Sequence, residues 1–222
     1  MSIDSPLASD GTDDPTVTQL VTTLCWLLAA QRHAGEVAGF LEMLHERNGN
    51  LASRMAFEFL ILTATRSGET RGALWTEMDL SARIWTIGAD RMKARAEHIV
   101  PLSERCVAIL EAVRAAHPTA TLCFPNSKGK PFSDMAFTKT LRDMGLGKRA
   151  TAHGFCTSFK TWAAETGVRD EVSEAALAYV DQNRVRAAYR RTTYLDERRS
   201  VMQSWADLIC PQMATVREKA GT

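Results

Sequence analysis

The chain has 222 residues, of which 45% are hydrophobic and 24% are charged, a composition typical of a soluble globular protein with a substantial core. This composition excludes a collagen-like or wholly disordered chain, and no apolar run reaches the roughly 20 residues that a membrane-spanning helix needs. Five cysteines without a C-x-x-C pair favour neither a disulfide framework nor a zinc site. We therefore expect a cytoplasmic protein that has no metal and no membrane association.

Charge is distributed unevenly along the chain. Residues 1–50 carry seven acidic and two basic side chains, whereas residues 51–222 carry 19 acidic and 25 basic side chains. The first sixteen residues contain four aspartates and no base, which is typical of a disordered acidic tail. The basic balance of the remainder permits a polyanionic partner without requiring one.

Hydrophobic periodicity predicts helices in the first part of the chain. A short helix is expected over residues 18–31, and a second over 36–47. The second helix has its apolar residues on one side: Val37, Phe40, Leu41 and Leu44. A strongly apolar helix is predicted over residues 53–64, followed by a turn.

The hydrophobic period changes near the middle of the chain. Residues 82–87 alternate and are rich in β-branched and aromatic side chains, which predicts a strand. Residues 98–102 are the expected partner strand, and the basic segment 91–95 connects the two. This region predicts one small antiparallel sheet.

Helices are again predicted after the sheet. Ser103 is the expected N-cap of one helix, and Ser133 the expected N-cap of another that Gly145 ends. Further helices are predicted over residues 152–165, 171–180, 183–191 and 195–209. The predicted fold class is therefore mainly α with a small antiparallel β-sheet (α+β). We divide the chain into an acidic tail with a short helix (1–34), one domain (35–210) and a C-terminal tail (211–222).

Five separated motifs occur in a fixed order along the chain. They are T-A-T-R-S-G-E over residues 63–69, L-W-T-E-M-D-L over 74–80, Lys93 in the hairpin connection, H-G-F-C over 153–156, and Asn183 with A-A-Y-R-R over 187–191. This order resembles the catalytic domain of the tyrosine recombinases, the phage-integrase family, and most of all integrases of prophages and genomic islands. The resemblance covers about residues 36–210.

The resemblance implies a tyrosine recombinase catalytic-domain fold and a DNA strand exchange that needs neither metal, ATP nor another cofactor. In that chemistry a tyrosine attacks a phosphate of double-stranded DNA, forms a 3′-phosphotyrosine and releases a 5′-hydroxyl. Cations must bind the non-bridging oxygens, and an acid must protonate the leaving oxygen. The expected function is DNA integration by site-specific recombination, with double-stranded DNA as partner and self-association on that DNA.

The motifs assign a role to each of five residues. Arg66 matches the first arginine of the phosphate clamp, and Glu69 matches a supporting acidic position. Lys93 matches the hairpin lysine, which is the expected general acid, although Arg91 and Arg95 are neighbouring alternatives for this register. His153 matches the histidine of the family.

Tyr189 matches the nucleophilic tyrosine. Tyr179 and Tyr194 are weaker candidates for the nucleophile, because the residues around them do not match the motif.

Helical spacing predicts how the segment that begins at His153 is oriented. Residues 153, 156 and 160 share one face, whereas Phe155, Phe159 and Trp162 share the opposite face. We expect the aromatic face to be buried. Cys156 is then expected to point away from the core, so that an arginine at this position would extend into the cleft.

Three departures from the family pattern bear on activity. Cys156 stands where the second clamp arginine is expected, and a thiol offers no positive charge and at most one weak donor. Tyr179 stands where the next motif has histidine or tryptophan, a milder change because a donor is kept. Only about 35 residues precede the match, where integrases of this type carry DNA-binding domains, so we expect an N-terminally truncated form.

Two interpretations follow, and a third has little support. The chain is either an impaired recombinase domain or a non-catalytic DNA-binding remnant of a prophage integrase, and Cys156 distinguishes the two. An unrelated helical regulator would require five coincident motifs.

Overall fold

The computed structural model describes residues 34–179 and 193–211. Helix α1 covers residues 34–46. Its apolar side faces the core, as predicted, with Val37, Phe40, Leu41 and Leu44 buried. The helices predicted over residues 18–31 and 183–191 lie outside the described residues.

Helix α2 (Leu51–Thr63) lies at the centre of the core. The side chain of Asn50 accepts a hydrogen bond from the backbone N of Ser53 at 3.0 Å, so the helix begins two residues earlier than predicted. Every residue of α2 from Ala56 onward is buried, and the helix packs against α3 (Ser67–Arg71) and two later helices. A core helix buried on all sides explains why this segment is so uniformly apolar.

Three short antiparallel strands form the sheet, in the order β1 (Met78–Asp79), β2 (Ile84–Ile87) and β3 (His98–Pro101). The register pairs Trp85 with Val100, and both side chains are buried. The predicted hairpin is confirmed, whereas β1 was not predicted because two residues cannot show an alternating pattern. A short 3-10 helix (Trp75–Glu77) precedes β1.

The capping predictions in the second half had different outcomes. Helix α4 (Glu104–Ala116) begins at Ser103, whose side chain accepts from the backbone N of Cys106, so that N-cap is confirmed. Ser133 as N-cap is wrong: α5 (Ala136–Asp143) has Met135 at the cap, and Ser133 contributes its backbone carbonyl to Ala136 N at 3.0 Å. Gly145 follows the end of α5 with φ +74°, the left-handed conformation that glycine adopts readily.

Three further helices close the core: α6 (Gly154–Glu165), α7 (Asp170–Ala176) and α8 (Leu195–Ile209). Helices α6 and α8 meet through an aromatic cluster in which the rings of Trp162 and Trp205 lie 5.1 Å apart. Trp205 Nε1 also donates to the carbonyl O of Ile61 at 3.0 Å, which ties α8 to α2. The fold is mainly α with a small antiparallel sheet, as the sequence predicts.

Candidate active site

The corner between α2 and α3 is held by a chain of buried hydroxyl groups. Thr63 Oγ1 donates to the carbonyl O of Phe59 at 2.7 Å. Thr65 Oγ1 lies 2.9 Å from Thr63 Oγ1 and 2.8 Å from Thr70 Oγ1. Ala64 reverses the backbone in the left-handed region, with φ 52°. These bonds fix the direction in which the next residue leaves the core.

Arg66 leaves that corner toward the surface, and Glu69 orients it. Arg66 Nη1 donates to Glu69 Oε1 at 2.8 Å, and Arg66 N donates to Glu69 Oε2 at 2.8 Å. The Glu69 side chain is only 6% exposed, whereas the Arg66 side chain is 33% exposed. The guanidinium is thus oriented by a buried carboxylate and still reaches solvent, as an anion-binding arginine must.

Lys93 lies in the loop between β2 and β3, and its side chain is exposed. Among the described residues, Lys93 makes no hydrogen bond or ion pair, so its ammonium is available to a ligand. Its neighbour Met92 is buried, which anchors the loop beside the lysine.

His153 is the N-cap residue of α6, and its side chain is exposed. The turn before it is held by Thr151 Oγ1, which accepts from Gly154 N at 3.0 Å. The prediction that His153 lies on the outward side of this segment is confirmed.

The prediction that Cys156 points away from the core is wrong. Its side chain is buried, and its Sγ lies 3.5 Å from the carbonyl O of Ala64 and 3.8 Å from that of Thr65. Burial raises the pKa of this thiol to about 11, and the nearby Glu69 carboxylate acts in the same direction. The thiol is therefore neutral at physiological pH and packs directly beneath the corner that presents Arg66.

Lys160 is also not on an open face. Its Nζ donates to Asp170 Oδ1 at 2.9 Å and to Ser173 Oγ at 2.8 Å. The lysine therefore links α6 to α7, and its charge is already balanced by a carboxylate.

The tyrosine candidates fall into two groups. Tyr179 is exposed and follows Ala178, which has φ 51°. Tyr194 precedes α8 and lies under the guanidinium of Arg169, 5.1 Å from its ring centre. Tyr189 and Asn183 lie outside the described residues, so the role of Tyr189 stays a prediction.

A buried basic pair that the motifs do not name lies behind the site. Arg198 is 2% exposed, and its Nη1 donates to the carbonyl O of Ala175 at 3.1 Å. Burial lowers the pKa of Arg198 to about 10. Burial and the charge of Arg198 lower the pKa of His98 to about 4, against a hydrogen bond to the backbone of Ala176. A signal did exist, because Arg198 stands in helical register with buried Met202 and Trp205.

Both basic side chains bind the backbone at the C-terminal end of α7. His98 and Arg198 satisfy carbonyls at the end of α7, directly before the segment that leads to Tyr179. No group of three or more metal-ligating side chains occurs within residues 34–179 and 193–211. None of the helices described in those ranges is long and apolar enough to span a membrane.

Comparisons with known proteins agree on one family. The model of the phage integrase family matches residues 33–195. The chain is 39% identical over 162 residues to the prophage integrase IntA of Escherichia coli K12, covering 72% of this chain and 39% of IntA. It is 35% identical over 188 residues to the integrase of Enterobacteria phage P4, covering 77% of this chain and 43% of that protein. The chain thus spans about two-fifths of the length of these relatives.

Solved structures show the same fold at lower identity. The XerH site-specific recombinase, in a pre-cleavage complex with its difH substrate, aligns with a TM-score of 0.54 at 20% identity over 73% of this chain and 51% of that one. The XerA recombinase aligns with a TM-score of 0.51 at 16% identity, over 85% of this chain and 62% of that one.

Proposed function

Since this chain belongs to the phage integrase family, we propose that it acts in site-specific DNA recombination by cleaving and rejoining strands of double-stranded DNA in the cytoplasm. The observation that carries the proposal is the presentation of Arg66: a buried carboxylate orients it, and its guanidinium reaches solvent. An arginine held in this way can bind two oxygens of one phosphate. Relatives that recombine DNA, such as the prophage and phage integrases, support the same assignment.

The proposed cleavage step divides the work among four residues. The Oη of Tyr189 loses its proton to solvent and forms a bond to phosphorus, and the bond from phosphorus to the 5′-oxygen breaks. The Lys93 ammonium gives its proton to that oxygen, while Arg66 and His153 donate hydrogen bonds to the non-bridging oxygens. The products are a 3′-phosphotyrosine and a 5′-hydroxyl, and attack by another 5′-hydroxyl reverses the step.

Cys156 is the reason to expect a slow reaction. A neutral buried thiol cannot supply the charge or the paired donors of a second arginine. Removing one preorganised donor from such a site costs about 10²–10³ in rate. We therefore propose an impaired recombinase domain.

A second candidate function is DNA binding without cleavage, as in a remnant of a prophage integrase. The specific observation in its favour is that Cys156 is packed as part of the core rather than held as a ligand. In this case Arg66 and the basic loop would still bind phosphates, and copies of the chain would assemble on DNA without reaction.

The test is a search for a covalent protein–DNA adduct after incubation with a pool of nicked duplexes of randomised sequence. In a nicked duplex the short strand released by cleavage diffuses away, so the reaction cannot reverse and the covalent intermediate accumulates. We expect slow formation of an adduct that maps to Tyr189 and is absent in Tyr189→Phe. Tyr194→Phe is the matched control and should keep it. Tyr179→Phe removes the donor at the histidine or tryptophan position, so it should slow formation of the adduct without abolishing it. An adduct on Tyr179 or Tyr194 would contradict the assignment. Salt-sensitive DNA binding without any adduct would favour the second function.

A further inference from the structure

Arg91 occupies an unexpected position for a residue of an exposed basic loop. Its side chain turns back from the β2–β3 connection and is only 20% exposed. Its Nη2 donates to the backbone carbonyl O of Glu69 at 2.7 Å, and its Nη1 donates to the Glu77 carboxylate. One guanidinium thus joins the loop to α3 and to the 3-10 helix.

The acceptor carboxylate of Glu77 is itself fixed. It accepts a hydrogen bond from Leu74 N at 3.1 Å and another from Trp85 Nε1 at 3.0 Å. Trp85 is fully buried in β2. The ion pair between Arg91 and Glu77 therefore rests on the rigid base of the hairpin and not on another loop.

Lys93 is only two residues from this anchor. One turn hydrogen bond closes the backbone before Met92, from Arg91 N to Gly88 O at 3.1 Å, and another spans Lys93, from Arg95 N to Met92 O at 3.0 Å. With Arg91 paired and Met92 buried, the backbone of Lys93 is held while its side chain stays exposed.

The other end of the connection carries the phosphate-binding arginine. The residue whose carbonyl Arg91 binds is Glu69, and the carboxylate of Glu69 binds Arg66. We propose that Arg91 is a positioning residue that couples the loop of Lys93 to the corner of Arg66, so that both cations meet one phosphate. The consequence for the chemistry rests on the proposed function, whereas the coupling itself does not.

Two features explain why this position needs arginine. Its two terminal nitrogens reach acceptors on different elements, a span that the single ammonium of lysine cannot make. Gly72 leaves the space: a Cβ built on it would lie 2.9 Å from Arg91 Nη2. Gly72 has φ −99°, which alanine adopts without strain, so the Cβ of Gly72→Ala meets the Arg91 guanidinium first and Gly68 O next, at 3.4 Å.

Amide hydrogen exchange of the whole chain tests the coupling without any need for activity. Arg91→Met and Gly72→Ala should each speed exchange in two separate segments, 66–72 and 88–97, by about tenfold, while α4 and α8 stay as they are. Arg95→Met is the matched control, because Arg95 is exposed on the same loop. Unchanged exchange in either segment of Gly72→Ala would overturn the proposal, even if Arg91→Met failed to fold.

A cleavage assay then separates this proposal from the function on which it rests. With an ordinary substrate, Arg91→Lys and Gly72→Ala should cleave about tenfold more slowly. With sulfur in place of the leaving 5′-oxygen, the part of each defect that comes from Lys93 should disappear, because a thiolate leaves without a proton, and any remaining defect is due to Arg66. Equal defects on both substrates would overturn the positioning of Lys93. No cleavage by the unsubstituted chain on either substrate would overturn the proposed cleavage alone, since exchange still decides the coupling.

Discussion

The corner that carries Arg66 and the first turn of α6 that carries Cys156 lie against each other but are built in opposite ways. The corner is polar: buried threonine hydroxyls and the Glu69 carboxylate fix an arginine that reaches solvent. The first turn of α6 is apolar around the thiol, and Phe155 packs on Phe40 and Phe57. The resemblance to the family predicts one clamp arginine in each region. The polar corner carries Arg66, whereas the first turn of α6 carries Cys156 in place of the second arginine.

The fold therefore forms without the second clamp cation. The cysteine fits because its small side chain lies among buried groups, with carbonyls of Ala64 and Thr65 as the nearest polar atoms. Those carbonyls follow the C-terminal end of α2, where the helix dipole favours a positive charge. The acceptors for a guanidinium are thus still present at the position that lacks one.

An arginine at residue 156 should have the largest effect on the rate of adduct formation. We expect Cys156→Arg to raise adduct formation about 10²-fold or more, because a guanidinium next to these carbonyls would complete the clamp with Arg66. The free energy of unfolding should fall by about 1–3 kcal/mol, because the site is buried and arginine is larger than cysteine. The measurement is the rate of adduct formation beside a thermal unfolding curve.

The matched control for that prediction is Cys156→Lys, which adds charge without a fork. It should give a smaller gain in the same assay, because lysine cannot bind two oxygens at once. Equal rates for Cys156→Arg and the unsubstituted chain, both above Tyr189→Phe, would mean that residue 156 is not at the clamp.

The buried histidine behind the polar region should make the free energy of unfolding depend on pH. The pKa of His98 is about 4 in the folded chain against an ordinary value of 6.5, so protons favour the unfolded chain. The free energy of unfolding should be highest above pH 6.5 and fall on acidification, by about 2 kcal/mol between pH 7 and pH 5. Denaturant unfolding at both pH values measures this change.

Two variants isolate that effect. His98→Asn keeps a hydrogen-bond donor but does not titrate, and it should remove most of the loss between pH 7 and pH 5. His153→Asn changes an exposed histidine and should leave the loss in place. A loss that persists in His98→Asn would assign the pH dependence to other groups.

The hydroxyl chain can be broken without touching either clamp position. Thr65→Val removes two buried hydrogen bonds and should lower the free energy of unfolding by about 1.5 kcal/mol. Adduct formation should fall as well, since the direction of Arg66 depends on this corner. Thr157→Val, at an exposed position of α6, is the matched control and should change neither quantity.

The smallest expected effect comes from the acidic segment that precedes the described residues. Deleting residues 1–16 removes four aspartates and no base, which should tighten DNA binding about two- to fivefold at low salt. Changing the same aspartates to asparagine at full length should give the same gain. A gain that survives at high salt would mean that the segment acts by something other than its charge.

The sequence predicts the bounds of a helix better than the orientation of a single side chain on it. The bounds predicted for the last helix agree with Leu195–Ile209, because its buried residues, Met202, Trp205, Ala206 and Ile209, follow a regular helical spacing. Cys156 was misplaced because α6 is packed on more than one side: Phe155 meets Phe40, while Phe159 meets Trp205. A helix between several partners buries a wider arc than periodicity assigns to it.

Within the candidate site, the sequence predicts the residues that belong to a motif. It does not predict the buried arginines that hold the site from behind. Arg66 and Glu69 pair as their spacing indicates. Arg91 was predicted only as an alternative to Lys93 in the register of the loop, and Arg198 had no predicted role, since no motif names the distant backbone carbonyls that hold their guanidinium groups.

The hydrogen bond between Trp205 and Ile61 bears on how the chain folds during synthesis. It joins residues 144 positions apart, and α8 covers the central helix that forms early in synthesis. A nascent chain that has not yet released α8 from the ribosome therefore exposes part of its most apolar segment. A premature stop codon anywhere before residue 205 would thus yield an aggregation-prone polypeptide and not a shortened but folded protein, even if it fell after Tyr189.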